Sequence, residues 1–104
     1  MRQDIRKRLI EAARAGEVIF YQELGIGRGR VLGQILGEIS EYEHDQGRPL
    51  LSAVAVSKVK GMPNRGFWGL PSVPPGLAER QCPVFWAREL VRVLDWWQKH
   101  PLQE

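Results

Sequence analysis

Cations set among glycines and aromatics are the residues here whose types and spacing could do chemistry. "GRGR" at positions 27–30 alternates glycines with Arg28 and Arg30. A guanidinium fork binds phosphate, or guanine, through two parallel hydrogen bonds, and a helix start just beyond such a cluster favours an anion. A second cationic set, Arg48, Lys58, Lys60 and Arg65, lies in residues 48–69, a segment with no Asp or Glu at all. At residues 60–70 "KGMPNRGFWGL" places Phe67 and Trp68 two and three positions after Arg65, where both rings could stack on an unpaired base. Both sets suit a polyanion, and the pattern points to nucleic-acid binding, with DNA favoured over RNA as partner.

Catalytic arrangements are thinner. Glu41, Glu43 and Lys58 are the residue types of a metal-dependent nuclease, yet no Asp stands at a strand start to complete the set. Ser52, inside "LLSAV", has no evident histidine partner and reads as a packed serine. "GIGRGRVLG" lacks the lysine of a phosphate loop. His44 and His100 are in no zinc-type spacing, and Cys82 is the single cysteine. The expectation is therefore no catalytic residue, no metal site and no cofactor, with a small nuclease around Glu43 and Lys58 as the enzyme alternative. Four tryptophans leave a further alternative, a protein-binding adaptor or inhibitor that uses exposed Trp68 and Trp96 beside arginines.

The totals bound these readings. A chain of 104 residues makes a single domain with a small core. No apolar run approaches the roughly 20 residues needed to span a bilayer, so no membrane partner is expected. The charged opening "MRQDIRKRLIEAARAG" lacks the apolar centre of a secretory signal, and one cysteine allows no internal disulfide. Both suggest a cytoplasmic setting. The net charge of +3 is mild, but it is unevenly spread. Residues 31–47 carry four acids and no Lys or Arg, directly before the acid-free basic block.

The elements that must position these side chains follow from periodicity and punctuation. Asp4 caps a helix to Ala15, with Ile5, Leu9, Ala12 and Ala13 inward and Gly16 as its stop. "VIFYQELGI" starts as a short strand and turns into a brief helix over 21–24. A long helix runs from Arg30 to Gln46, closed by Gly47, with Val31, Leu32, Ile35, Leu36, Ile39 and Tyr42 inward. Gly29, Gly33 and Gly37 fall on one line of that helix, which predicts another backbone passing close by. Residues 49–60 read as a strand, 61–66 as a turn, and "GFWGL" as the start of a second strand. Four prolines keep 71–83 irregular, and "VFWARELVRVLDWWQKH" is a final helix ended by Pro101. Trp86, Leu90, Val93 and Trp97 form its buried stripe, with Trp96 at the edge or exposed. Three helices, a β-hairpin and a C-terminal helix make an α+β domain with the order of a small winged helix-turn-helix.

At "VIFYQELGIGRGRVLGQILGEI" the chain resembles the C-terminal winged-helix DNA-binding domain of alkylguanine-DNA alkyltransferases and alkyltransferase-like proteins. Tyr21, Glu23 and Leu24 match the family's Tyr-Gly-Glu-Leu-Ala-type segment. Arg30, Val31, Gly33 and Leu36 match its glycine-bearing helix, and the likeness spans Val18 to Leu70. It implies that Tyr21 lies beside a nucleotide pocket and that the Gly33 face meets the minor groove of DNA. The family's Pro-Cys-His-Arg signature is absent, since "GRPLLSAVAV" stands in its place; the resemblance therefore implies no alkyl transfer. "GRPLLSAVAVSKVKGMPNRGFW" is also similar to a block in bacterial and phage proteins of no known function.

Overall fold

The computed structural model describes residues 1–100 except Arg28, with Arg65 described by its backbone alone. The proline expected to end the last helix, Pro101, lies outside the described residues. Four α-helices and one two-stranded parallel sheet make up the regular structure of that region, with three short 3-10 turns between them.

Helix α1 spans Gln3–Arg14 and buries Ile5, Leu9, Ile10 and Ala13 on one face. Arg2 rather than Asp4 occupies its N-cap, and Asp4 instead receives two hydrogen bonds from the Arg2 guanidinium at 2.9 and 2.8 Å. That partner holds the Asp4 carboxyl down at about 2. Strand β1, Ile19–Phe20, runs directly into a 3-10 turn over Tyr21–Leu24. The Glu23 carboxylate fixes the junction by accepting the Phe20 backbone N–H at 2.8 Å.

Helix α2 spans Arg30–Asp45, and its buried face is turned from the one periodicity suggests. Leu32, Leu36 and Ile39 point inward as expected, but Ser40 and Glu43 join them, while Val31 is 56% and Tyr42 40% exposed. That orientation buries the Glu43 carboxylate against the two arginines described below.

The hairpin expected over 49–70 is where structure and sequence reading part. Leu51–Val54 form a 3-10 turn and only Ala55–Val56 are extended, as strand β2. β2 pairs parallel to β1, Ile19 opposite Ala55 and Phe20 opposite Val56. Residues 65–68 coil into a single helical turn, α3, instead of a second strand. Every residue from Leu51 to Val56 is buried. A hairpin strand with one wet face would alternate; a segment covered on both faces does not. Here α1, α2 and α4 (Cys82–Lys99) all pack against it, making it the centre of the core. Pro63, fully buried and lacking a backbone donor, suits the turn into α3 better than a paired strand.

Helix α4 buries Val93 and Trp97 and keeps Phe85, Trp86, Leu90 and Leu94 half-covered against the same core. The Trp86 indole N–H donates to the carbonyl of Ala53 at 2.8 Å. One buried carboxylate on this helix, Glu89, accepts the Leu50 backbone N–H at 2.8 Å and the Arg92 guanidinium at 2.7 Å. Truncating any one large aliphatic of this core to Ala is expected to cost about 2–5 kcal/mol. No helix among the described residues is long and apolar enough to cross a membrane.

Candidate functional site

Two adjoining clefts open where the N-terminal half of α2 meets the 3-10 turn at Tyr21 and the segment 57–67. The smaller, of about 310 Å³, is walled by Leu32, Leu36, Phe67 and Leu70, with Tyr21, Ser52 and Asn64 as its polar points and Arg30 among its lining residues. The second, of about 490 Å³, lies between Gly27 and Gly29 on one side and Ser57, Lys58 and Val59 on the other. Tyr21, Gly29, Leu32 and Asn64 border both.

Local sequence explains why the clefts exist. Gly33 and Gly37 lie on the face of α2 that floors the first cleft. At Gly33 a side chain would meet open space, while at Gly37 it would press on the Leu70 methyl at 3.3 Å. Gly66 of α3 packs toward Gly33, its would-be Cβ 3.8 Å from the Gly33 Cα. No backbone stands where a Cβ would sit at Gly29, Gly33 or Gly37, so the close backbone approach expected along the glycine line is not what these three glycines serve; the line leaves empty space. Gly25, Gly27 and Gly29 all adopt φ between 69° and 78°, so the approach to α2 follows a path that L side chains resist.

Tyr21 divides the clefts. Its hydroxyl oxygen accepts the Asn64 backbone N–H at 2.7 Å, tying the 3-10 turn to the start of α3 across the opening. Burial pushes the Tyr21 phenol above its ordinary pKa, and the Asn64 bond offsets part of that rise. Ser52, at the cleft floor, is held by a serine and not by a base. Its backbone N–H donates to Ser40 Oγ at 2.9 Å, and the Ser40 hydroxyl donates back to Ser52 Oγ at 2.5 Å. That pairing provides no general base for nucleophilic chemistry.

The loop after β2 carries the basic residues. The Gly61 N–H donates to the Ser57 carbonyl at 2.7 Å, and the Ser57 N–H to that of Met62 at 2.9 Å, closing a tight turn. Lys58, Val59 and Lys60 stand exposed on it.

The residues singled out in the sequence separate into two groups. Tyr21, Arg30, Gly33 and Lys58 are brought to the clefts, with Lys60 exposed two residues beyond Lys58. Arg28 and the Arg65 side chain lie outside the described residues. Arg48 is not with them. Its guanidinium donates to Glu43 Oε2 through both Nε (3.0 Å) and Nη2 (2.7 Å). Arg6 meets the other oxygen of the same carboxylate at 3.2 Å. Both guanidinium groups lie 5.5 to 6.0 Å from the ring centres of Tyr42 and Trp97, within cation–π range. Desolvation acts to lower the Arg48 pKa, but the hydrogen bond and charge of Glu43, with Tyr42 adding to them, leave it raised. Arg48 is thus held in an ion pair with Glu43, apart from the two clefts.

The same knot keeps Glu43 apart from Lys58, the pair named for a nuclease. Glu43 is 0% exposed with both oxygens in use, whereas Lys58 sits on an exposed turn. Among the described residues no three His, Cys, Asp or Glu side chains gather as a metal would need. The tryptophans proposed for a protein interface are half-buried. Trp68 packs edge-on to Phe67 and Phe85, and Trp96 stacks on His100 with ring centres 3.7 Å apart. The cleft also takes in Phe67, a candidate for base stacking from its sequence setting, and Ser52 and Asn64, which the sequence assigns to no site; nothing in their spacing relates them to Tyr21.

No protein-family model, curated protein or solved structure matches the chain.

Proposed function

We propose that this is a small non-catalytic nucleic-acid-binding protein that engages DNA through the cleft face made by Tyr21, Arg30, Gly33, Lys58 and Lys60. The observation that carries the reading is the convergence of these five. They stand out in the sequence by charge, glycine spacing and resemblance, and come from three separate stretches of chain. Four of them line the two clefts, and the fifth stands on the loop that walls one of them. Cations at the rim contact phosphates, and the side-chain-free face of α2 lets a polymer backbone come near. The 57–62 loop takes the place given to a hairpin wing in a winged-helix reading. The acids Glu38 and Glu41, on the far half of α2, would repel a duplex lying along the whole helix. Only its N-terminal half, next to Arg30, is electrostatically suited to the approach.

Titrating labelled duplex and single-stranded DNA with the protein, followed by fluorescence anisotropy over a series of salt concentrations, tests the proposal. The expected result is an affinity that falls linearly in log–log with salt, at a slope of about −0.9 per phosphate contact on duplex. Absence of binding at low salt would reject it.

A further inference from the structure

Val59 is 95% exposed, the highest value among the exposed large hydrophobic residues of the described chain. A single exposed valine is ordinary on a protein surface. This one differs in its setting. It stands between exposed Lys58 and Lys60 on a turn closed by the Gly61 N–H to Ser57 carbonyl bond at 2.7 Å and the Ser57 N–H to Met62 carbonyl bond at 2.9 Å. The turn is therefore held in shape before any partner arrives. Its β-branched side chain is stiff about χ1, so little freedom is lost on insertion. Together with Lys58 it borders the cleft that also contains Tyr21.

We infer that Val59 is a wedge, inserted between stacked base pairs of a DNA duplex while Lys58 and Lys60 hold the phosphates on either side. The inference rests on the nucleic-acid reading above and adds to it a mode of engagement. An apolar side chain at a rigid basic tip is what proteins use to unstack and kink a duplex from the minor groove. The flanking charge would also suit an anionic lipid surface. One valine is too little apolar area for that: even a whole myristoyl chain gives only marginal membrane attachment. A base step asks less of the side chain, because phosphate contacts supply the affinity and the wedge has only to occupy the gap.

The test compares an intact duplex with the same duplex carrying one mismatched pair, where unstacking costs less. Wild type, Val59→Ser and Val59→Leu are measured by anisotropy, and anionic phosphatidylserine vesicles serve as the lipid probe. With 95% of its surface in water, Val59 can be replaced without opening the core, and far-ultraviolet circular dichroism checks this. The expected result is a preference of wild type for the mismatched duplex of about tenfold. Val59→Ser loses the preference, with its affinity for intact duplex less affected, and Val59→Leu keeps it. A preference retained by Val59→Ser, or equal binding of both duplexes by wild type, overturns the wedge while leaving DNA binding in place. If neither duplex binds at low salt, the nucleic-acid reading falls along with the wedge. Vesicle binding that Val59→Ser abolishes, without duplex binding, overturns the inference in favour of lipid.

Discussion

Two clusters of cations in this molecule use the same chemistry to opposite ends. Around Glu43, Arg6 and Arg48 are drawn to one fully buried carboxylate and covered by the rings of Tyr42 and Trp97. On the 57–62 turn, Lys58 and Lys60 stand in water in a segment with no acid. The difference lies in what each charge can reach. Arg48 is one turn past a helix end whose Glu43 carbonyl also accepts its backbone N–H at 2.9 Å, so the loop closes the guanidinium onto the acid. The lysines have a glycine-stopped turn around them and an open cleft beside them. A basic segment read from sequence is thus divided by folding into one cation held by a buried acid and others left in water.

The largest expected effect breaks the first cluster. Glu43→Gln preserves shape but leaves two arginines facing each other without their counter-charge. Removing one partner of a buried ionic group should cost about 3 kcal/mol, or roughly 10–20 °C in melting temperature for a domain of this size. Thermal denaturation reads it directly. A loss well under about 1 kcal/mol would mean that the knot is solvated and the comparison fails.

A smaller effect sharpens the other side. Gly33 has an ordinary helical backbone and open space where a Cβ would sit. Gly33→Ala should raise stability by up to about 1 kcal/mol, the helix-propensity difference. The same methyl intrudes on the cleft floor, so DNA affinity should fall by a few fold. A variant more stable and equally tight in binding would place the contact elsewhere.

The smallest effect is in pH. The folded-state pKa of Tyr21 lies above its unfolded value. Its contribution to stability is thus fully present below about pH 10, the unfolded value, and is lost as pH rises through the folded one. Tyr21→Phe removes the ionisable group, and the decline of wild-type stability in alkali should become shallower in the variant. Chemical denaturation at a series of alkaline pH values measures both curves; parallel curves would contradict the burial of this phenol.

How far the sequence could be read follows from the same contrast between local and distant causes. Helices α1, α2 and α4 and the strand-to-turn switch at Tyr21 announce themselves through periodicity and glycine stops, all within a few residues. β1 and β2 are two residues each and pair across 36 positions, so no local pattern marks them as a parallel sheet. The run 51–56 looked like a hairpin strand because continuous apolar burial has no period to tell strand from turn. By type Glu43 is one of four acids in 31–47 and a nuclease candidate with Lys58, and its burial is hidden because Arg6, which pairs with it, is 37 residues away. At the clefts, Arg30, Lys58 and Phe67 are legible by type and Tyr21 and Gly33 by resemblance, whereas Ser52 and Asn64 join them only through the fold.

The central claim is the division of the cations into scaffold and binding groups. Its most direct test is the salt dependence of duplex affinity for Arg48→Gln beside that of the double variant Lys58→Gln, Lys60→Gln, with melting temperatures taken on the same samples. The lysine pair should flatten the log–log slope by about 2 and leave stability within about 0.5 kcal/mol of wild type. Arg48→Gln should lower stability and leave the slope unchanged. A flattened slope from Arg48→Gln together with an unchanged one from the lysine pair would contradict the account.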